Sequence, residues 1–104
     1  MSIQEEIKEI LKQIVEKYKP ERVILFGSGV KGEFSKDSDL DFLIIKEEVP
    51  PVGRERAREL RRMIEKKVAV DFLIYRPEEF ESRVRIGDPF LKAILKEGKV
   101  LYSA

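Results

Sequence analysis

The chain contains neither cysteine nor histidine. Without cysteine there is no disulfide framework, no thiolate nucleophile and no zinc–thiolate site. Without histidine there is no imidazole base and no His-ligated metal, so any proton acceptor must be a carboxylate, a lysine, a tyrosine or water. No apolar run approaches membrane-spanning length. The N-terminus is a charged amphipathic stretch that lacks the basic start, apolar run and cleavage site of a secretory signal. A charge of one sign is also missing. Charged residues make up 39% of the 104, yet they cancel to +1. That balance suits a cytoplasmic protein and gives no global argument for binding nucleic acid. With 42% hydrophobic residues the chain can bury a real core, and its length is expected to form one domain, 1–104.

What is present is concentrated in one stretch, Phe26 to Asp41, which reads FGSGVKGEFSKDSDLD. An apolar run, Val23-Ile24-Leu25-Phe26, leads into Gly27-Ser28-Gly29. A strand ending in a glycine turn lets backbone N–H groups approach a phosphate closely. Asp39 and Asp41 then open a second apolar run, Phe42-Leu43-Ile44-Ile45. Carboxylates at i and i+2 of an extended chain point to one face, roughly 7 Å apart. Like charges held so close beside an apolar strand are costly unless a cation sits between them. Oxygen-only ligands favour a hard ion such as Mg²⁺, which takes its remaining ligands from substrate phosphates and water. A phosphate turn beside paired aspartates points to phosphoryl or nucleotidyl transfer.

The rest of the chain reads as a scaffold for that stretch. Ile3, Ile7, Ile10, Leu11, Ile14, Val15 and Tyr18 form one apolar stripe and predict a helix over 3–18. Ser2 caps its start and Pro20 ends it; Glu6, Lys8, Glu9 and Lys12 are assigned to its wet face. A strand is expected over 22–26, and a short helix over 30–34 whose N-terminus faces Ser28. Gly32 then turns the chain back, Asp37 falls in a loop, and a buried central strand runs over 39–45. After a charged Pro-Pro loop, a helix is expected over 54–67. Ala57, Leu60, Met63 and Ile64 face inward, and an Arg-rich face that includes Arg56 and Arg61 faces water. Residues 69–75 predict a third strand that echoes the second: Asp41-Phe-Leu-Ile-Ile returns as Asp71-Phe-Leu-Ile-Tyr. The echo suggests two neighbouring strands, each with a carboxylate near the same edge. Pro77 opens a further helix, Gly87 breaks it, and Asp88-Pro89 caps a last helix through Lys96. Gly98 stops that helix, Ile94 and Leu95 face the core, and Val100 to Tyr102 adds an edge strand.

The Gly-Ser pair, the ten-residue spacing and the Asp-x-Asp resemble the motif of the polymerase β-like nucleotidyltransferase superfamily. The likeness is greatest to its small minimal nucleotidyltransferase (MNT) members, antitoxins of HEPN/MNT systems. It implies an α+β fold, a small mixed β-sheet with helices packed against it. It also implies that Asp39, Asp41 and Asp71 are catalytic and hold two Mg²⁺ ions, with Asp71 as the third acidic residue. Gly27, Ser28, Lys31 and Gly32 would bind the nucleotide, with ATP as the substrate. The implied activity is transfer of AMP to a hydroxyl of a partner, a HEPN-type toxin. One departure stands out. Many family members read Gly-Ser, then Arg or Tyr, then Ala-Arg-Gly, whereas here the run is Gly27 to Gly32, GSGVKG. Lys31 keeps the arginine's charge but not its bidentate phosphate geometry.

Two other readings differ in class. The chain could be a catalytically weak binding antitoxin or scaffold that keeps the fold, which metal-dependent ATP binding would discriminate. It could be a nucleic-acid module built on the Arg-rich helix, but few aromatics are available for base stacking. Homo- and hetero-oligomers are both compatible with the sequence.

Overall fold

The computed structural model describes residues 2–32 and 38–104. Helix α1 spans Ile3–Gln13. Its start is a reciprocal cap: Ser2 Oγ accepts the Glu5 N–H at 3.2 Å, and the Ser2 N–H donates to Glu5 Oε1 at 3.3 Å. The helix does not keep α pitch to Tyr18. Ile14–Tyr18 widens into a π turn that Lys19 closes in the left-handed region, φ 53°. Ile10, Ile14 and Tyr18 are all buried. Four-residue steps overshoot by roughly 40° each at α pitch, and one wider turn takes up that drift.

Strand β1 is Arg22–Phe26 and β2 is Leu40–Ile45. Between them lies a one-turn helix, α2, Ser28–Lys31. It starts two residues earlier than the apolar pattern suggests, and Gly32 closes it with φ 74°. The expected extension through Phe34 and the loop assignment of Asp37 lie outside the described residues. Helix α3, Gly53–Met63, leads to β3, Val70–Tyr75. Then come α4, Pro77–Arg85, α5, Pro89–Glu97, and β4, Lys99–Ser103. Asp88 caps α5 as expected, its Oδ1 accepting the Phe90 and Leu91 N–H groups at 2.9 and 3.3 Å.

The four strands form one mixed sheet in the order β3-β2-β1-β4. β1 runs antiparallel to β2 and β4, whereas β2 and β3 are parallel and joined through α3. The sheet is covered on both faces. Leu40, Phe42 and Ile44 of β2 meet residues of α1 and α3, while Leu43 and Ile45 meet Phe80, Leu91 and Ile94 of α4 and α5. This is the mixed α+β architecture that the family resemblance implies, with β2 buried inside the sheet.

Four side chains depart from the expected pattern. Glu6, assigned to water, is buried because its Oε1 accepts the Lys67 N–H at 2.8 Å. Arg56, also assigned to water, is only 4% exposed. It donates to both carboxylate oxygens of Glu79 at 2.7 and 3.1 Å and to the Ile74 carbonyl at 3.0 Å. Met63 and Leu95, assigned to the core, are exposed. Met63 is the last residue of α3, which stops short of Lys67. Gln13 of α1 captures the backbone of Glu65 there, accepting its N–H and donating to its carbonyl, both at 2.7 Å. Those bonds hold the chain extended at Ile64 and turn Ile64 inward.

Candidate active site

The site is built at one end of the sheet, where β1 ends and β2 and β3 begin. Phe26 of β1 lies beside Asp41 of β2, and Asp41 lies beside Asp71 of β3 in the parallel register. The echo between the two Asp-Phe-Leu-Ile segments therefore reflects in-register pairing from Asp41↔Asp71 to Ile45↔Tyr75. Alternation puts Asp41 and Asp71 on the sheet face that also carries Leu43 and Leu73, against α4 and α5. Asp39 sits just ahead of β2 and is exposed.

The glycine turn meets these carboxylates directly. Gly27 adopts φ 77°, ψ −154°, a backbone region open to glycine alone. A Cβ there would also run into Asp41 Oδ2. Gly27 thus supplies both a conformation and a space. Its carbonyl accepts the N–H groups of Val30 and Lys31 at 3.2 and 3.4 Å, and the first-turn amides of Ser28 and Gly29 have no intrahelical acceptor. Gly29 faces Leu40, whose Cδ2 would lie 3.0 Å from an added Cβ. The small residue at 29 is matched to Leu40.

Electrostatics single out Asp41. Its carboxyl is pushed above the ordinary range, first by burial and then by the charges of Asp71 and Asp39. Asp71 is 62% exposed, and Arg61 of α3 approaches it, Nη2 to Oδ1 3.6 Å. Among the described residues, no three acidic side chains are already gathered tightly enough to hold a metal ion. The donor set nevertheless suits a hard divalent cation: oxygen ligands only, three like charges, and a partly buried carboxylate that such an ion would relieve. Asp39, Asp41 and Asp71 could hold it.

The structure brings Gly27, Ser28, Asp39, Asp41 and Asp71 to one place. Lys31 lines a cavity beside Gly27, and its Nζ lies 3.6 Å from Glu97 Oε2 of α5. Gly32 has nothing within 4 Å of an added Cβ, so its part is to end α2 at positive φ. Two neighbours of the site escape sequence reasoning, Arg61 and Glu97. Each reads as one more charge on a wet helix face, and only the packing of α3 on β3 and of α5 beside the turn reveals it.

The family model for the nucleotidyltransferase domain matches residues 6–102. The chain belongs to that family and is a nucleotidyltransferase. It is similar to a Methanocaldococcus jannaschii protein provisionally named a protein adenylyltransferase, 27% identical over 106 residues, which span 98% of this chain and 100% of that one. A second M. jannaschii protein with the same provisional name is 43% identical over 58 residues, 54% of this chain and 59% of that one. Two solved structures share the fold. One is a provisionally assigned nucleotidyltransferase from Sulfolobus solfataricus, TM-score 0.61 at 23% identity, covering 97% of this chain and 86% of that one. The other is a toxin–antitoxin chain crystallised with AMP-PNP, TM-score 0.59 at 21% identity, covering 93% and 73%.

Proposed function

We propose that this nucleotidyltransferase transfers AMP from ATP to a hydroxyl of a partner protein, a HEPN-type toxin, and so acts as its antitoxin. The observation that carries the reading is the parallel register that sets Asp71 beside Asp41, at the glycine turn. The names of the two M. jannaschii relatives support a protein acceptor and AMP as the group moved. The toxin–antitoxin neighbour crystallised with AMP-PNP supports an adenine nucleotide as substrate and a toxin as partner. The family match supports treating 1–104 as one nucleotidyltransferase domain. Among the described residues no helix is long and apolar enough to cross a membrane, which agrees with a cytoplasmic site of action.

In this reading the Ser28 and Gly29 amides and the Ser28 hydroxyl seat the β- and γ-phosphates, and Lys31 turns to them from Glu97. Asp39, Asp41 and Asp71 would hold Mg²⁺. When bound there, Mg²⁺ would supply neutralisation of the charge that develops during phosphoryl transfer. Asp71 accepts the proton of the partner hydroxyl, directly or through water, since the chain has no histidine to do so. The hydroxyl oxygen forms a bond to the α-phosphorus as the bond to pyrophosphate breaks in line. Positioning and charge stabilisation carry the rate.

The test is transfer of label from α-labelled ATP to a purified HEPN-type toxin. Asp39→Asn, Asp41→Asn and Asp71→Asn should each lose about 100-fold or more in rate. Wild-type rates in any of them would overturn the assignment. A weak binding antitoxin is the second reading, favoured by the engagement of Lys31 with Glu97; it requires inhibition of the toxin without transfer.

A further inference from the structure

We infer that Arg61 is a positioning residue: it holds Asp71 while the metal site is empty and yields it to a divalent cation, and the freed guanidinium then contacts the bound nucleoside triphosphate. The inference rests on the proposed site and adds a residue from a different element. Among the described residues, the contact from Arg61 is the one ion pair made by any of the three aspartates. It comes from a fixed base. Ala57, Leu60 and Ile64, four and one residues before Arg61 and three after it, are all buried, so the backbone at Arg61 cannot drift from the β3 edge. The contact itself is loose. At 3.6 Å, with the two side chains 41% and 62% exposed, it lies beyond hydrogen-bond reach and is of the weak, exchangeable kind.

Among the described residues the three neighbouring aspartates do not form a closed metal site. Asp71 is engaged by Arg61 of α3. A divalent cation that draws Asp71 toward Asp41 removes the anion from Arg61 and places positive charge nearby. The guanidinium then seeks the next anion, and a triphosphate seated at Gly27–Ser28 is that anion. A planar fork is well matched to phosphate oxygens.

The experiment is calorimetric titration of the full chain with Mg²⁺ alone, and then with ATP at saturating Mg²⁺. Wild type, Arg61→Gln, Arg61→Lys and Asp41→Asn would be compared, with folding checked by circular dichroism. Arg61→Gln should bind Mg²⁺ alone about two- to five-fold more tightly, because a competitor is gone. It should bind ATP with Mg²⁺ about tenfold more weakly. Arg61→Lys should restore the metal affinity and leave the nucleotide affinity low, since it returns the charge without the fork. Affinities that move in the same direction, or not at all, overturn the inference. If wild type binds no ATP with Mg²⁺, or Asp41→Asn binds it normally, the proposed site itself fails. With that site intact, unmoved Arg61 variants sink this inference alone.

Discussion

Asp41→Asn should make the ligand-free protein more stable while removing its activity. The side chain keeps its shape and loses a charge. That charge lies on a strand about 4.8 Å from the strand bearing Asp71, with Asp39 two residues away and part of the carboxylate out of water. Among the described residues no hydrogen bond or ion pair to Asp41 offsets this. Two like charges at such a separation repel by about 1 kcal/mol in bulk water and by about 3 kcal/mol at a dielectric typical of protein surfaces. A partly exposed group falls toward the lower figure. A gain of about 1 kcal/mol corresponds to about 4–8 °C in a domain of this size. The assay is thermal unfolding by circular dichroism in chelator at low salt and neutral pH. Because burial and the neighbouring aspartates raise the Asp41 carboxyl in the folded state, its penalty grows as pH rises through the folded value. It vanishes well below the ordinary 3.8, where both states are protonated. The variant's advantage should therefore shrink on acidification. Saturating Mg²⁺ and ATP should reverse the order, since ligand at 100 times its Kd adds about 2.7 kcal/mol to wild type alone. A variant that melts lower than wild type at neutral pH in chelator would refute the electrostatic reasoning.

The remaining predictions concern the scaffold. Arg56→Met should destabilise the fold by about 3 kcal/mol, measured by urea unfolding, because it strips donors from the Pro50, Pro51 and Ile74 carbonyls and leaves Glu79 without its guanidinium partner. An unchanged midpoint would mean that the buried guanidinium is dispensable. The Arg56 guanidinium holds the Glu79 carboxyl down to about 2 from 4.5. Its contribution is therefore complete above the ordinary carboxylate range and is lost as pH falls toward the lower value. Glu79 is 39% exposed, so solvent screening leaves about 1 kcal/mol of this. Glu79→Gln should flatten that segment of the acid unfolding profile. Gly27→Ala should lose about 1–3 kcal/mol by forcing a side chain into a glycine-only conformation. It should also abolish ATP binding, because the methyl displaces Asp41 Oδ2; wild-type binding would sever the turn from the carboxylates.

Local repetition and periodicity carry a long way here. The α1 stripe, the Ser2 and Asp88 caps and the four strands follow from spacing and end residues, because the physics that sets them acts within a few positions. The echo around Asp41 and Asp71 reaches further, since two strands flanked by the same layers need the same side chains at the same level. What was hidden depends on partners distant in sequence. Arg56 looks like one more arginine on a wet helix until Glu79 and the Ile74 carbonyl arrive beside it. The end of α3 is set by Gln13, whose side chain pairs with the Glu65 backbone. Arg61 and Glu97 gain meaning only from packing. At the site, the sequence places the carboxylates and the turn together, and it does not tell that Lys31 and Asp71 are each engaged by another residue.

If the glycine turn and the aspartates form one metal-dependent nucleotide site, ATP binding must need both the metal and the carboxylates. Calorimetric titration of ATP with and without Mg²⁺, on wild type and Asp39→Asn, tests it most directly. Wild type should bind only with Mg²⁺, and the variant should not bind. Binding that ignores the metal, or that survives Asp39→Asn undiminished, would contradict it.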